Sequence, residues 1–143
     1  MNPDKITSLR ILLVEDSAHD VLAFRRAFKK SQIASEITHC VRAEQALERL
    51  SADPQHGTVS FDLVVTDYKL PGMTGLELCR RVLERGVALP LVLLTGTGSE
   101  HLAVEALKTG VNDYIIKDPD HGYLNLLPVV LPEVVRQHDD RLA

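Results

Sequence analysis

The sequence predicts an α/β fold, a doubly wound parallel sheet of five strands, on three observations. Short apolar runs alternate five times with longer stretches of helical periodicity. The runs are apolar almost throughout, as strands covered on both faces must be. Each run also ends in polar residues, so chemistry-bearing side chains collect at one end of the sheet.

Ile11-Leu12-Leu13-Val14 is the first strand, closed by Glu15-Asp16-Ser17. From Ala18 to Lys30, Val21, Phe24 and Phe28 recur at helical spacing, opposite Arg25, Arg26, Lys29 and Lys30. Ile37 to Val41 is a weaker strand, and Ala43, Ala46, Leu47 and Leu50 mark the next helix. Ser51 to Ser60, with Pro, Gly, Ser and Asp together, is the longest predicted loop. Leu63 to Asp67 is a strand, followed by a helical stripe of Leu76, Cys79, Val82 and Leu83 that stops near Gly86. Leu91 to Thr95 follows Pro90, and Leu102, Ala103, Ala106 and Leu107 lead to Gly110 as a C-cap. Asp113 to Lys117 is the last strand. Leu124, Leu127, Leu131 and Val134 space a final helix that contains Pro128 and Pro132. It either starts late, near Val129, or starts near Asn125 and bends at Pro132; the earlier start is favoured.

The 143 residues suit one compact domain, read as 8–138 with short tails at 1–7 and 139–143. The 45% hydrophobic and 25% charged composition is that of an ordinary globular chain, which excludes disordered, collagenous and disulfide-rich classes. No apolar run reaches a membrane span and the first ten residues are too polar for a secretory signal, so a cytoplasmic location is expected. Sixteen basic residues against twenty acidic ones, with no basic run, argue against direct nucleic-acid binding. Cys40 and Cys79 form no C-x-x-C pair.

The strand ends carry Glu15, Asp16, Asp67, Thr95 and Lys117. Three carboxylates in one crevice repel one another, and a bound cation removes that cost. Hard oxygen ligands suit Mg²⁺, which bridges readily to phosphate. An aspartate beside such an ion, with Thr95 and Lys117 holding further oxygens, can attack phosphorus and become an aspartyl phosphate. The plainer alternative is a set of solvated strand ends with Lys117 as a surface ion-pair partner.

Four stretches in this order, ILLVEDS at Ile11 to Ser17, DLVVTDYKLPGMTGLEL at Asp62 to Leu78, LVLLTGTGS at Leu91 to Ser99 and AVEALKTGVNDYIIKD at Ala103 to Asp118, carry a resemblance. The chain resembles the receiver domain of two-component response regulators from about Ser8 to Gln137. The resemblance implies a flavodoxin-like sheet of order 2-1-3-4-5. It also implies Asp67 as the phosphoacceptor, Glu15 and Asp16 as the acidic pair holding Mg²⁺ (or Mn²⁺) with Asp67, and the backbone carbonyl of Lys69 as a further metal ligand. Thr95 is then the switch hydroxyl, Lys117 the cation pairing with the phosphoryl group, and Tyr114 the aromatic that moves inward with Thr95. The implied partners are a histidine kinase or phosphotransfer protein and a downstream protein. The downstream protein is expected on the face made by the helix from Ser99, the strand from Asp113 and the final helix. Such a chain is a phosphoacceptor rather than an enzyme acting on others.

The family usually places a proline directly after the lysine, in a cis bond, whereas here Asp118 intervenes before Pro119. A cis bond without proline costs about 2.5–4 kcal/mol, so Lys117-Asp118 is expected to be trans. Gly96-Thr97-Gly98-Ser99-Glu100 fails G-x-G-x-x-G because His101 follows. Asp67-Tyr68-Lys69 lacks the second aspartate of aspartate-nucleophile phosphatases, which leaves that class as a weaker alternative beside a phospho-independent pseudo-receiver. The six histidines show no ligand spacing. Few residues follow the last helix, which suggests either a stand-alone receiver or a piece of a larger regulator or hybrid kinase.

Overall fold

The structure, a computed structural model, describes residues 6–51, 60–96 and 100–142. The elements are β1 (Ser8–Val14), α1 (Ala18–Lys29), β2 (Ala34–Cys40), α2 (Ala43–Leu50), β3 (Leu63–Asp67), α3 (Gly75–Glu84), β4 (Leu91–Thr95), α4 (Glu100–Thr109), β5 (Asp113–Ile116) and α5 (Tyr123–Leu142). The strands form one sheet of order β2-β1-β3-β4-β5 in which every ladder is parallel. Most of the predicted long loop, and residues 97–99 of the glycine-containing stretch after β4, lie outside the described residues.

Strand alternation sorts the core into two layers. Ile11, Leu13, Leu63, Val65, Val92 and Leu94 face α1 and α5, meeting Phe24, Phe28, Leu127 and Leu131. Leu12, Val14, Val64, Leu91 and Leu93 face the other way, onto Ala46, Leu47, Leu78, Cys79, Val82 and Ala106. The apolar runs look continuous because each strand must feed both layers.

Helix starts follow local chemistry. Ser17 Oγ accepts from the Asp20 N–H at 3.2 Å, and Thr74 Oγ1 accepts from the Glu77 N–H at 3.2 Å, capping α1 and α3. Gly72, at φ 79°, takes the left-handed turn that follows Pro71.

Several boundaries differ from the sequence reading: β1 begins at Ser8 rather than Ile11, α1 ends at Lys29 rather than Lys30 and β2 ends at Cys40 rather than Val41, and three further differences have a clear physical reason. β2 begins at Ala34 rather than Ile37, because Ser8 to Arg10 of β1 pair with Ala34 to Glu36; that part of the edge strand is exposed and carries no apolar signal. β5 ends at Ile116, leaving Lys117 just past the strand. α5 starts at Tyr123 rather than Asn125 and keeps both prolines inside it. Tyr123, Leu127, Leu131, Val134 and Val135 are all buried, and this apolar stripe offsets the two backbone hydrogen bonds that the prolines forgo. Among the described residues no helix is long and apolar enough to cross a membrane.

Candidate functional site

Val14 pairs with Thr66, Asp67 with Leu94 and Thr95 with Ile116, so the strands end in step. Glu15, Asp67, Thr95 and Lys117 are therefore brought to one edge of the sheet.

Lys117 is the hub. Its ammonium donates to Glu15 Oε1, donates to Asp20 Oδ2 at 2.9 Å and lies 3.4 Å from Asp67 Oδ2. The Lys117 side chain is 15% exposed and that of Glu15 3%, which excludes the solvated surface pair. Burial opposes the charge on Lys117, but the hydrogen bonds it donates to Glu15 and Asp20 and the charge of Asp67 outweigh it and raise the pKa. Burial pushes Glu15 upward, with the Asp67 charge adding to the effect and Lys117 opposing it. Asp67 is raised by burial too, against the pull of Lys117.

Glu15, Asp16 and Asp67 can each offer one oxygen, all within 4.8 Å of one another. Glu15 is buried while Asp16 is exposed, so the cluster opens to solvent on one side. One ammonium against four nearby carboxylates, counting Asp20, leaves excess negative charge on hard oxygens. The residues fit a divalent oxygen-loving cation. Lys69 stands two residues beyond Asp67 with an exposed side chain.

The predicted site residues fall on two sides of the sheet edge. By alternation Asp67 continues the Leu63 and Val65 face, toward α1 and α5. Thr95, buried, continues the Leu91 and Leu93 face, and half-buried Tyr114, paired with Leu93, packs against that same layer. Lys117 is tied to this end by its N–H, which donates to the Thr95 carbonyl at 2.7 Å. All described peptide bonds are trans, Lys117-Asp118 included. The Asp118 carboxylate accepts from the N–H groups of Gly122 at 2.9 Å and Tyr123 at 2.8 Å, capping α5. The residue directly after Lys117 is thus a helix cap rather than the proline that the resemblance leads one to expect there.

Two residues at the site, Asp20 and His39, escaped the sequence reading, and Gly75, read there only as part of the turn after Asp67, has a further role in packing. Asp20 reaches Lys117 from the first turn of α1; its signal was the Ser17-x-x-Asp20 spacing, a helix-start pattern that points it at the same end of the sheet. His39, at the end of β2, bonds the Glu15 backbone carbonyl through Nε2 at 2.6 Å and so braces the acidic loop, with no sequence signal. Gly75 is required by packing: a Cβ there would lie 2.1 Å from the Asp67 carbonyl oxygen. The two cysteines are free and buried, and burial pushes the Cys79 thiol up to about 12, so neither belongs to the chemistry.

A five-stranded parallel sheet with an acid-lined edge answered by one lysine belongs to the class of open α/β domains whose functional residues gather beyond the carboxyl ends of the strands. Residues 11–126 match the family profile of the response regulator receiver domain, and the chain belongs to that family. It is 32% identical over 111 residues to the chemotaxis protein CheY of Pseudomonas aeruginosa, covering 76% of this chain and 84% of CheY. It is 34% identical over 128 residues to the methanogenesis regulatory protein FilR1 of Methanothrix harundinacea, covering 87% of this chain but 27% of FilR1. It likewise spans 44% of the response regulator RppA of Synechocystis. Among solved structures, the Mn²⁺-bound form of response regulator Rcp1 superposes with a TM-score of 0.76 at 23% identity, over 87% of this chain and 95% of that one. The protein is thus a receiver domain of two-component systems, a signalling domain with the sheet order the resemblance implied. The phosphatase and pseudo-receiver alternatives are not favoured.

Proposed function

We propose that Asp67 accepts a phosphoryl group from a histidine kinase or phosphotransfer protein in a reaction that needs Mg²⁺ or Mn²⁺. The observation that carries this is the placement of Lys117 across Glu15 and Asp67, beside three carboxylate oxygens within 4.8 Å of one another. A carboxylate oxygen of Asp67 attacks phosphorus, the bond from phosphorus to the donor's imidazole nitrogen breaks, and the imidazole leaves with the electron pair. Hydrolysis reverses the state: water attacks phosphorus, the acyl phosphate bond breaks, and inorganic phosphate leaves. Glu15, Asp16, Asp67 and the Lys69 carbonyl would hold the cation, whose chemistry is neutralisation of charge on the phosphoryl oxygens. Lys117 supplies an ammonium to the same oxygens, and the Thr95 hydroxyl turns toward them.

The domain, 8–138, transmits this state by protein contact in the cytoplasm, without direct nucleic-acid binding. Thr95 and Tyr114 share one side of the sheet edge, so movement of the hydroxyl leaves room that the tyrosine ring can enter. The output face is α4, β5 and α5. Support comes from exposed apolar side chains on all three: Val104 and Leu107, Ile116, and Leu126 and Val129. Two packings of Thr95 and Tyr114 then couple phosphate and partner reciprocally.

The test is incubation with acetyl phosphate and Mg²⁺, followed by intact mass. One phosphoryl group should be added, and none in Asp67→Asn; a variant that labels as well as the wild type removes the assignment. Amide exchange with beryllofluoride should show protection changes on α4, β5 and α5. Changes limited to the Asp67 and Lys117 loops would remove the output face.

A further inference from the structure

The Lys117 ammonium donates hydrogen bonds to Glu15 and to Asp20, and it stands 3.4 Å from Asp67 as an ion pair. Asp67 and Glu15 belong to the acidic cluster that surrounds the reacting oxygen. Asp20 does not, since that cluster comprises Glu15, Asp16 and Asp67. It comes from a different element, the first turn of α1, where its N–H bonds Ser17 Oγ and the helix N-terminus favours its charge. Its side chain is 27% exposed, against 3% for Glu15. A phosphoryl group on Asp67 adds about one net negative charge and presents three acceptor oxygens, which draw the Lys117 ammonium away from Asp20. The bond to Asp20 is the one whose loss strands no buried charge, because Asp20 can be hydrated in place.

We infer that Asp20 is a positioning residue that holds Lys117 in the unphosphorylated protein and competes with the phosphoryl group for its ammonium. The inference rests on Asp67 being the phosphoacceptor. Asp20 thereby lowers the affinity of the site for phosphoryl oxygens and ties the start of α1 to the phosphorylation state, because the helix loses its link to the end of β5 when Lys117 turns. Removing Asp20 makes Lys117 available in advance.

The experiment is titration of the full chain with beryllofluoride at saturating Mg²⁺, by calorimetry and fluorine NMR, with Mg²⁺ affinity measured separately. Asp20→Ala should bind beryllofluoride about three- to tenfold more tightly than wild type, the scale of one partly exposed ion pair, with Asp20→Asn between them. In a Lys117→Ala background the Asp20→Ala change should shift affinity less than about twofold, since the competitor then has nothing to hold. A general loss of negative charge would give the same gain in both backgrounds and overturn the inference. Unchanged or weaker binding in Asp20→Ala would overturn it as well, while leaving Asp67 as phosphoacceptor. Wild-type protein that neither binds beryllofluoride nor takes label from acetyl phosphate would remove the phosphoacceptor reading, and the inference with it. Should Asp20→Ala fail to fold, Asp20→Asn carries the same comparison.

Discussion

Lys117 and Arg136 each gather carboxylates, and the two clusters show what burial does to the same chemistry. Arg136 bonds Glu133 and Asp140, three and four residues away on α5, with partner side chains 50% and 66% exposed. Lys117 draws Glu15, Asp20 and Asp67 from β1's end, α1 and β3, with Glu15 almost wholly buried. In the first cluster helix geometry makes the neighbours, and water screens the charges. In the second, folding concentrates charges from distant segments where water is scarce, so each charge constrains the others. The exposed cluster decorates a helix, whereas the buried one ties together segments distant in sequence.

Removing the hub cation should have the largest effect. Lys117→Ala leaves Glu15 buried without its partner, at a cost of about 3 kcal/mol, the low end for breaking a buried pair because Lys117 keeps some solvent contact. Urea melts measure this, and Mg²⁺ should restore part of the loss by replacing the missing positive charge. The variant should still take label from acetyl phosphate, more slowly, while partner binding no longer responds. Equal stability with and without the ammonium would place the Lys117 cluster with the exposed one.

Next comes the backbone approach that seats the cluster. Gly75→Ala drives a methyl against the Asp67 carbonyl, which neither α3 nor β3 can yield easily. A cost of about 1–3 kcal/mol is expected in the same melts, with slower labelling because Asp67 is displaced.

A smaller effect follows from the cation itself. At ten times its dissociation constant Mg²⁺ should stabilise the fold by about 1.4 kcal/mol, read as a rise in Tm that chelator reverses. Asp16→Asn should abolish most of that rise yet leave the apo protein no less stable, since it removes repulsion. Glu133→Gln should leave the Mg²⁺ response intact.

The least effect belongs to two carboxylates outside the acidic cluster, half-buried Asp118 before α5 and exposed Glu133 on it. Backbone N–H groups of Tyr123 and Gly122 lower the pKa of Asp118, and the Arg136 hydrogen bond lowers that of Glu133. A depressed carboxylate contributes stability above its unfolded pKa, near 4, and loses it as pH falls through the lower folded value. Asp118→Asn and Glu133→Gln should therefore each flatten the acid limb of Tm against pH below about pH 4. Neither should change phosphorylation at neutral pH. A loss of labelling in Glu133→Gln would contradict the separation of the two clusters.

By itself the sequence determined the alternation of strands and helices, through periodicity that each element carries within a few residues. It also determined which acids close β1 and β3, and where Thr95 and Lys117 stand, because strand ends follow from the apolar runs before them. The partners of Arg136, three residues before it and four after it, are legible for the same local reason. The start of β2 was not, since an exposed edge strand owes its existence to the pairing of Ser8 to Arg10 with Ala34 to Glu36. Nor was the early start of α5, where Asp118 supplies from its side chain what periodicity does not record. Only the tertiary structure decided that Asp20 meets Lys117 across 97 residues of chain, that His39 braces Glu15, and that Gly75 must lack a side chain. Those facts depend on which elements lie side by side, and a distance between two helices or strands leaves no period in either.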